Sequence, residues 1–280
     1  MPLQEYFDPE TINIRRLAVE SPKKTELLFD AEQEISNEEW KILKDSLFRN
    51  YFPSPAGAQL IGFTKLATEL KILFPERLSD LEIDSASWEA VKTRLEEYKS
   101  DKGWGDFTEI VANLRVLYPE RFSTLDLGEK AWQVGVESLH QLEGIWVTDH
   151  ALRLKILFPE KFSSLDLDFV WKNLKEGIGE IRKDDEFGYK SFFEVLAKAR
   201  ILFPERYAEL RPSPRDWSVM KECFEGMREN KEWWSFAKVA ASMKILAAEE
   251  VSITKNGYEI KMPGDESFKH DSLPPEKRKF

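Results

Sequence analysis

The 280-residue sequence is poor in the groups that build most catalytic centres: it has one cysteine, Cys223, and three histidines, His140, His150 and His270. A single thiol cannot close an internal disulfide, which fits a reducing compartment and would also suit a cysteine-poor secreted protein. No histidine lies four residues from another or in a His-Glu-x-x-His context, so no zinc site is predicted, and no other metal or cofactor. A P-loop, a GxGxxG turn and a GxSxG elbow are missing too, and the expectation is a non-enzyme. No run of about 18 apolar residues occurs, and the opening MPLQEYFDPETINIRR lacks the basic-then-apolar pattern of a leader. A cytoplasmic protein with no membrane partner is expected. Positive charge is also in deficit, 41 Lys and Arg against 51 Asp and Glu. That balance disfavours nonspecific coating of nucleic acid, which needs cations to replace phosphate counterions. The acidic run Asp184-Asp185-Glu186 lacks the spacing of a calcium loop and reads as a solvated turn.

What the chain does have is apolar material, 42% of its residues, and a repeat. The segments KILFPER (71–77), RVLYPER (115–121), KILFPEK (155–161) and RILFPER (200–206) align without gaps, and KILAAEE (244–250) is a degenerate fifth copy. Pro75, Pro119, Pro159, Pro204 and then Ala248 fall 44, 40, 45 and 44 residues apart. A tryptophan follows each proline after 12 or 13 residues: Trp88, Trp132, Trp171 and Trp217. Upstream, Leu27 to Phe29 followed by Trp40 reads as a worn first copy.

Each unit contains two stretches of helical period. After the tryptophan, Trp88, Val91, Leu95 and Tyr98 share one face, as do Trp217, Met220, Phe224 and Met227. Asp84 or Ser85, and Ser213 ahead of Pro214, are the start signals. A second helix runs to the signature, with Phe107, Ile110, Val111, Leu114 and Leu117 in one copy and Phe192, Val195, Leu196, Ala199 and Leu202 in another. It should stop before the proline, which removes an N–H and disfavours αR in its predecessor. Near the C-terminus, Asn256-Gly257 between alternating Ile and Val residues predicts a two-residue β-hairpin.

The expected fold is therefore all-α, an α-solenoid of tandem helical hairpins with a unit of about 44 residues, four clear copies plus a degenerate fifth, ending in a small β-hairpin. Its divisions are an N-terminal segment 1–59, a candidate degenerate repeat, a repeat domain 60–250, a hairpin cap 251–262 and a flexible tail 263–280. Over residues 60 to 250 the unit resembles the HEAT and armadillo class of helical-hairpin repeats in length and architecture. The Leu-Phe-Pro-Glu signature and the closing MKILAAEE are similar to repeats in uncharacterised bacterial proteins; that resemblance implies no activity.

Stacked hairpins make an extended surface, so the function expected is a non-catalytic interaction or scaffold module binding a protein or peptide. The candidate anchors are the aromatics at the hairpin tips: Trp104, Trp146, Tyr189, Trp233 and Trp234. The residue four before each proline position is basic, Lys71, Arg115, Lys155, Arg200 and Lys244. These cations are expected to complement the dipole at the end of their own helix and pair with the signature glutamate. Otherwise they would form a ladder for a nucleic acid or polyanion. An enzyme or effector site outside the repeats is the third reading. His150 is expected to be buried and hydrogen-bonded, and Cys223 an inert buried thiol.

Overall fold

The computed structural model describes residues 40, 41, 43 to 45, 47, 48, 57 to 100, 103 to 181, 186 to 230, 232 to 248, 250 to 254 and 257 to 261. The predicted tail 263–280, most of the N-terminal segment and the pair Asp184-Asp185 lie outside the described residues. The described chain is mostly helical, with one two-stranded antiparallel sheet. Its longer helices are α1 (Gly57–Leu73), α2 (Ser85–Ser100), α3 (Trp104–Leu117), α4 (Gly128–Leu139), α5 (Ile145–Leu157), α6 (Leu167–Ile181), α7 (Glu186–Leu202), α8 (Pro214–Glu229) and α9 (Trp233–Ala247). The strands are β1 (Glu250–Thr254) and β2 (Gly257–Lys261). None of these helices is long and apolar enough to cross a membrane.

Helix ends follow the sequence closely. Asp84 Oδ1 accepts the Ser87 N–H at 2.7 Å at the start of α2. At α8, Asp216 Oδ2 accepts from the Ser213 N–H at 2.6 Å, while Ser213 Oγ accepts from the Asp216 N–H, a reciprocal cap. Helices α1, α3, α5 and α7 each end two residues before the signature proline. The residue between has left αR, as at Tyr118 (φ −130°, ψ 63°), although its N–H still meets the Leu114 carbonyl at 2.8 Å. Where Ala248 replaces the proline, α9 runs one residue further, to Ala247.

The signature tryptophans are structural. Trp88, Trp132 and Trp171 pack edge-on against the aromatic before the next proline, Tyr118, Phe158 and Phe203. Arg121, Lys161 and Arg206, the last residues of those signatures, lie over the same indole rings. Trp40 meets Phe74 and Arg77 in the same manner, and its Nε1 donates to Asp80 at 2.9 Å.

The odd-numbered helices form an inner layer in which α1 packs on α3, α3 on α5, α5 on α7 and α7 on α9. Outer helices α4, α6 and α8 each wedge between two consecutive inner ones, and α2 packs on α3. This stacking does not leave two free ends, as an open solenoid would. Helix α9 packs on α1, and the inner layer closes into a ring. The ring's outward faces carry the core: Phe63, Phe107, Phe192 and Phe236, with Leu70, Leu114 and Leu154, are almost completely buried. Each such side chain contributes roughly 1.5–3 kcal/mol by leaving water.

The hairpin is present, with a different register from the one Asn256-Gly257 predicts. Thr254 pairs with Gly257, so Gly257 belongs to β2 and not to the turn, and residues 255 and 256 lie outside the described residues. Ile253 pairs with Tyr258 and Val251 with Ile260. Strand β1 packs on α7 and β2 on α3, so the hairpin spans the ring from α9.

Two glycines of α6 separate close packing from intrinsic helix preference. A Cβ at Gly177 would lie 2.8 Å from the Ile145 backbone nitrogen, whereas one at Gly179 would meet nothing within 4 Å. Gly177→Ala should therefore destabilise the fold by about 1–3 kcal/mol, and Gly179→Ala should stabilise it by about 0.5–1 kcal/mol. Denaturant midpoints of the two variants check this, and shifts in the same direction would contradict the packing at α5 and α6.

Candidate functional site

Closing five helices into a ring creates a lumen. With neighbouring axes about 10 Å apart, each axis lies roughly 8 Å from the centre, and a helix radius of about 5 Å with side chains leaves a narrow axial space. The structure has a cavity of about 130 Å³ there, lined by all five inner helices and by Tyr258 of β2.

Its lining follows one helical stripe, the positions three, six, seven and ten residues before the proline position. The first of these is apolar, with Ile72, Ile156, Ile201 and Ile245 against the cavity. The position ten before the proline is charged in every copy: Lys65, Glu109, Asp149, Glu194 and Lys238. The position six before holds five different polar residues: Glu69, Asn113, Arg153, Lys198 and Ser242. The repeated isoleucine and the non-repeated polar residues thus share the interior face.

Four seams of the ring carry ion pairs within this lining. Lys65 Nζ stands 3.9 Å from Glu109, which also pairs with Arg153. Lys198 meets Asp149 at 2.6 Å and Lys238 meets Glu194 at 2.6 Å. Burial alone would raise the Asp149 carboxyl, but Lys198, Arg153 and Lys65 outweigh it and hold it below the usual carboxylate range. Lys198, which burial would lower, is held above its ordinary value by Asp149 and Glu194.

Glu69 is the exception. Its Oε2 is sealed from solvent and has no hydrogen-bond partner. Burial pushes its pKa up to about 8, despite the nearby charges of Lys65, Lys238 and Lys198 and with the help of Glu194. The Tyr258 phenol is likewise raised, by burial first and then by the charge of Asp149. Among the described residues no group of three His, Cys, Asp or Glu gathers as metal ligands.

The five signature cations do not line this cavity. Each donates to a backbone carbonyl at the end of the next inner helix: Lys71 to Val116, Arg115 to Leu157 at 2.9 Å, Lys155 to Ile201 at 2.7 Å and Arg200 to Leu246 and Ala248. Lys244 reaches Leu73 at 3.0 Å, from the last helix to the first. The dipole they complement is thus the neighbour's as well as their own. Burial lowers the pKa of Lys71, Arg115, Lys155 and Arg200.

The tip aromatics divide. Trp104 packs edge-on to Phe107 with Lys130 over its ring, and Trp234 is packed against the core. Trp146 is 64% exposed. The side chains of Tyr189 and Trp233 lie outside the described residues. His150 is buried with Nε2 2.9 Å from the Gly135 carbonyl, and Cys223 is buried. Sequence reasoning missed the lumen residues. The available signal was a charged or polar residue six and ten before every proline, inside helices otherwise apolar on two faces.

No family model, curated protein or solved structure matches the chain.

Because the folded chain keeps the Glu69 proton to about pH 8, while an unfolded chain releases it near 4.5, its contribution to stability is lost as pH rises across that window. Glu69→Gln should remove that slope, leaving the variant more stable than the parent by roughly 2–4 kcal/mol at pH 8.5 and least different near pH 4.5. Chemical unfolding at several pH values measures it; parallel profiles would show that Glu69 ionises normally.

Proposed function

We propose that this protein is a cytoplasmic, non-catalytic binding module, a closed ring of five helical hairpins that holds a small polar ligand in its lumen. The observation that carries this reading is Glu69, half-buried with its Oε2 sealed from solvent and without a partner, placed in a cavity that brings together charges from all five inner helices. Buried polar atoms are rarely left without partners in folded proteins, and a bound molecule is one way to supply one. Function is carried by sites and not by folds, and the position six before the proline, which faces the lumen, differs in every copy.

Two other readings weigh less. The polyanion ladder is weakened because its five cations are already engaged with carbonyls of adjacent helices. A protein partner on the outer surface keeps one supporting observation, the exposed Trp146.

A ligand-observed NMR screen of small acids, amines and amides tests the reading. Binders should be lost when the lumen is filled by Ala197→Phe or Ala241→Phe, with helical content retained, and kept in Trp146→Ser. Binding that survives both fillings, or depends on Trp146, would move the site to the outside of the ring.

A further inference from the structure

The ligand's chemical class follows from which groups in the lumen already have counterions, an inference that rests on the lumen being the binding site. Its carboxylates are provided for: Glu109 has Lys65 and Arg153, Asp149 has Lys198, and Glu194 has Lys238. Its donors are in excess, since each ammonium has three N–H bonds and Lys65 shares its carboxylate with Arg153 at the longest of the separations, 3.9 Å. Asn113 adds an amide within 3.5 Å of Thr64, whereas the Ser242 hydroxyl already donates to the Lys238 carbonyl. Glu69 is the remaining acid, and Tyr258 adds a phenol from the hairpin.

With Glu69 in its acid form, four cations face three carboxylates. An excess charge in a confined site is costly unless it is neutralised. One negative charge balances it; an ammonium ligand would worsen it, and a dianion would overshoot. The volume, about 130 Å³, is near that of a cavity that holds one benzene-sized molecule, so the ligand is small. The isoleucines beside the polar ring provide a place for hydrocarbon. The geometry points to a small monocarboxylate, its carboxylate accepting from the Glu69 acid and the ammonium groups of Lys65, Lys198 and Lys238, its short alkyl chain on Ile72, Ile156, Ile201 and Ile245.

Three probes of one shape and different charge test this: propionate, n-propylamine and propionamide, titrated by calorimetry into the full-length protein. Propionate binds, and its affinity falls about thirtyfold between pH 6.5 and 9.5, the factor by which an acid titrating near 8 loses its proton. In Glu69→Gln, whose amide still donates, propionate binds with little pH dependence over that range. Lys65→Met weakens it about tenfold while the circular dichroism spectrum is unchanged. Preference for propylamine, with affinity rising with pH, would overturn the class and show Glu69 acting as a carboxylate; equal binding of propionamide would also overturn it. Both results leave the lumen as the site. If none of the three binds although other small molecules in the screen do, only the class falls; if no small molecule of any kind binds, both inferences fall.

Discussion

Each inner helix ends with backbone carbonyls that no N–H of its own can reach, and the rest of the structure depends on how they are met. In each copy a cation four residues before the proline position crosses to the next inner helix and donates to a terminal carbonyl. A hydrogen bond from a charged group to a buried acceptor contributes about 1.5–3 kcal/mol, less where burial of the cation opposes it. The contact also fixes register, because it ties equivalent positions of parallel neighbours together. The stem of the cation is used as well: Arg115, Lys155 and Arg200 lie over Phe122, Phe162 and Tyr207 three residues beyond their prolines.

Because the contact passes from each helix to the next, its last instance determines the topology. Lys244 finds Leu73 and the series closes. A closed ring has no exposed apolar end to cap, which explains how the degenerate fifth signature is tolerated: Arg200 still reaches Leu246 and Ala248. Closure also creates an interior surface. A residue on the inner stripe of an open stack would face water, whereas in a ring it faces four others. That change of environment is what raises Glu69 to about 8 and draws the other lumen charges into pairs.

Much of the local structure was legible from residue type and spacing. Asp84 and Ser213 cap helices and prolines end them, because each of these depends on a few neighbouring residues. Closure was not legible. It depends on the angle added by each hairpin, a sum over packing contacts between residues far apart in the chain. Without closure, Glu69, Lys198 and Arg153 looked like ordinary charges on a helix, and the basic residues of the signature were expected to meet the end of their own helix and its glutamate, not the carbonyls of the next helix. Trp146 and Trp104 occupy similar tips, and only their neighbours decide that one is exposed and the other packed.

Ring closure is the central claim, and the distance between the first and last inner helices tests it most directly. Spin labels at Glu76→Cys and Ala247→Cys, in a chain carrying Cys223→Ser, would sit just beyond the end of α1 and at the end of α9. A closed ring predicts a single short distance, below about 25 Å including the label arms. An open stack of five hairpins with about 10 Å between neighbours would place them roughly 40 Å apart, and that result would contradict the ring, its lumen and the site within it.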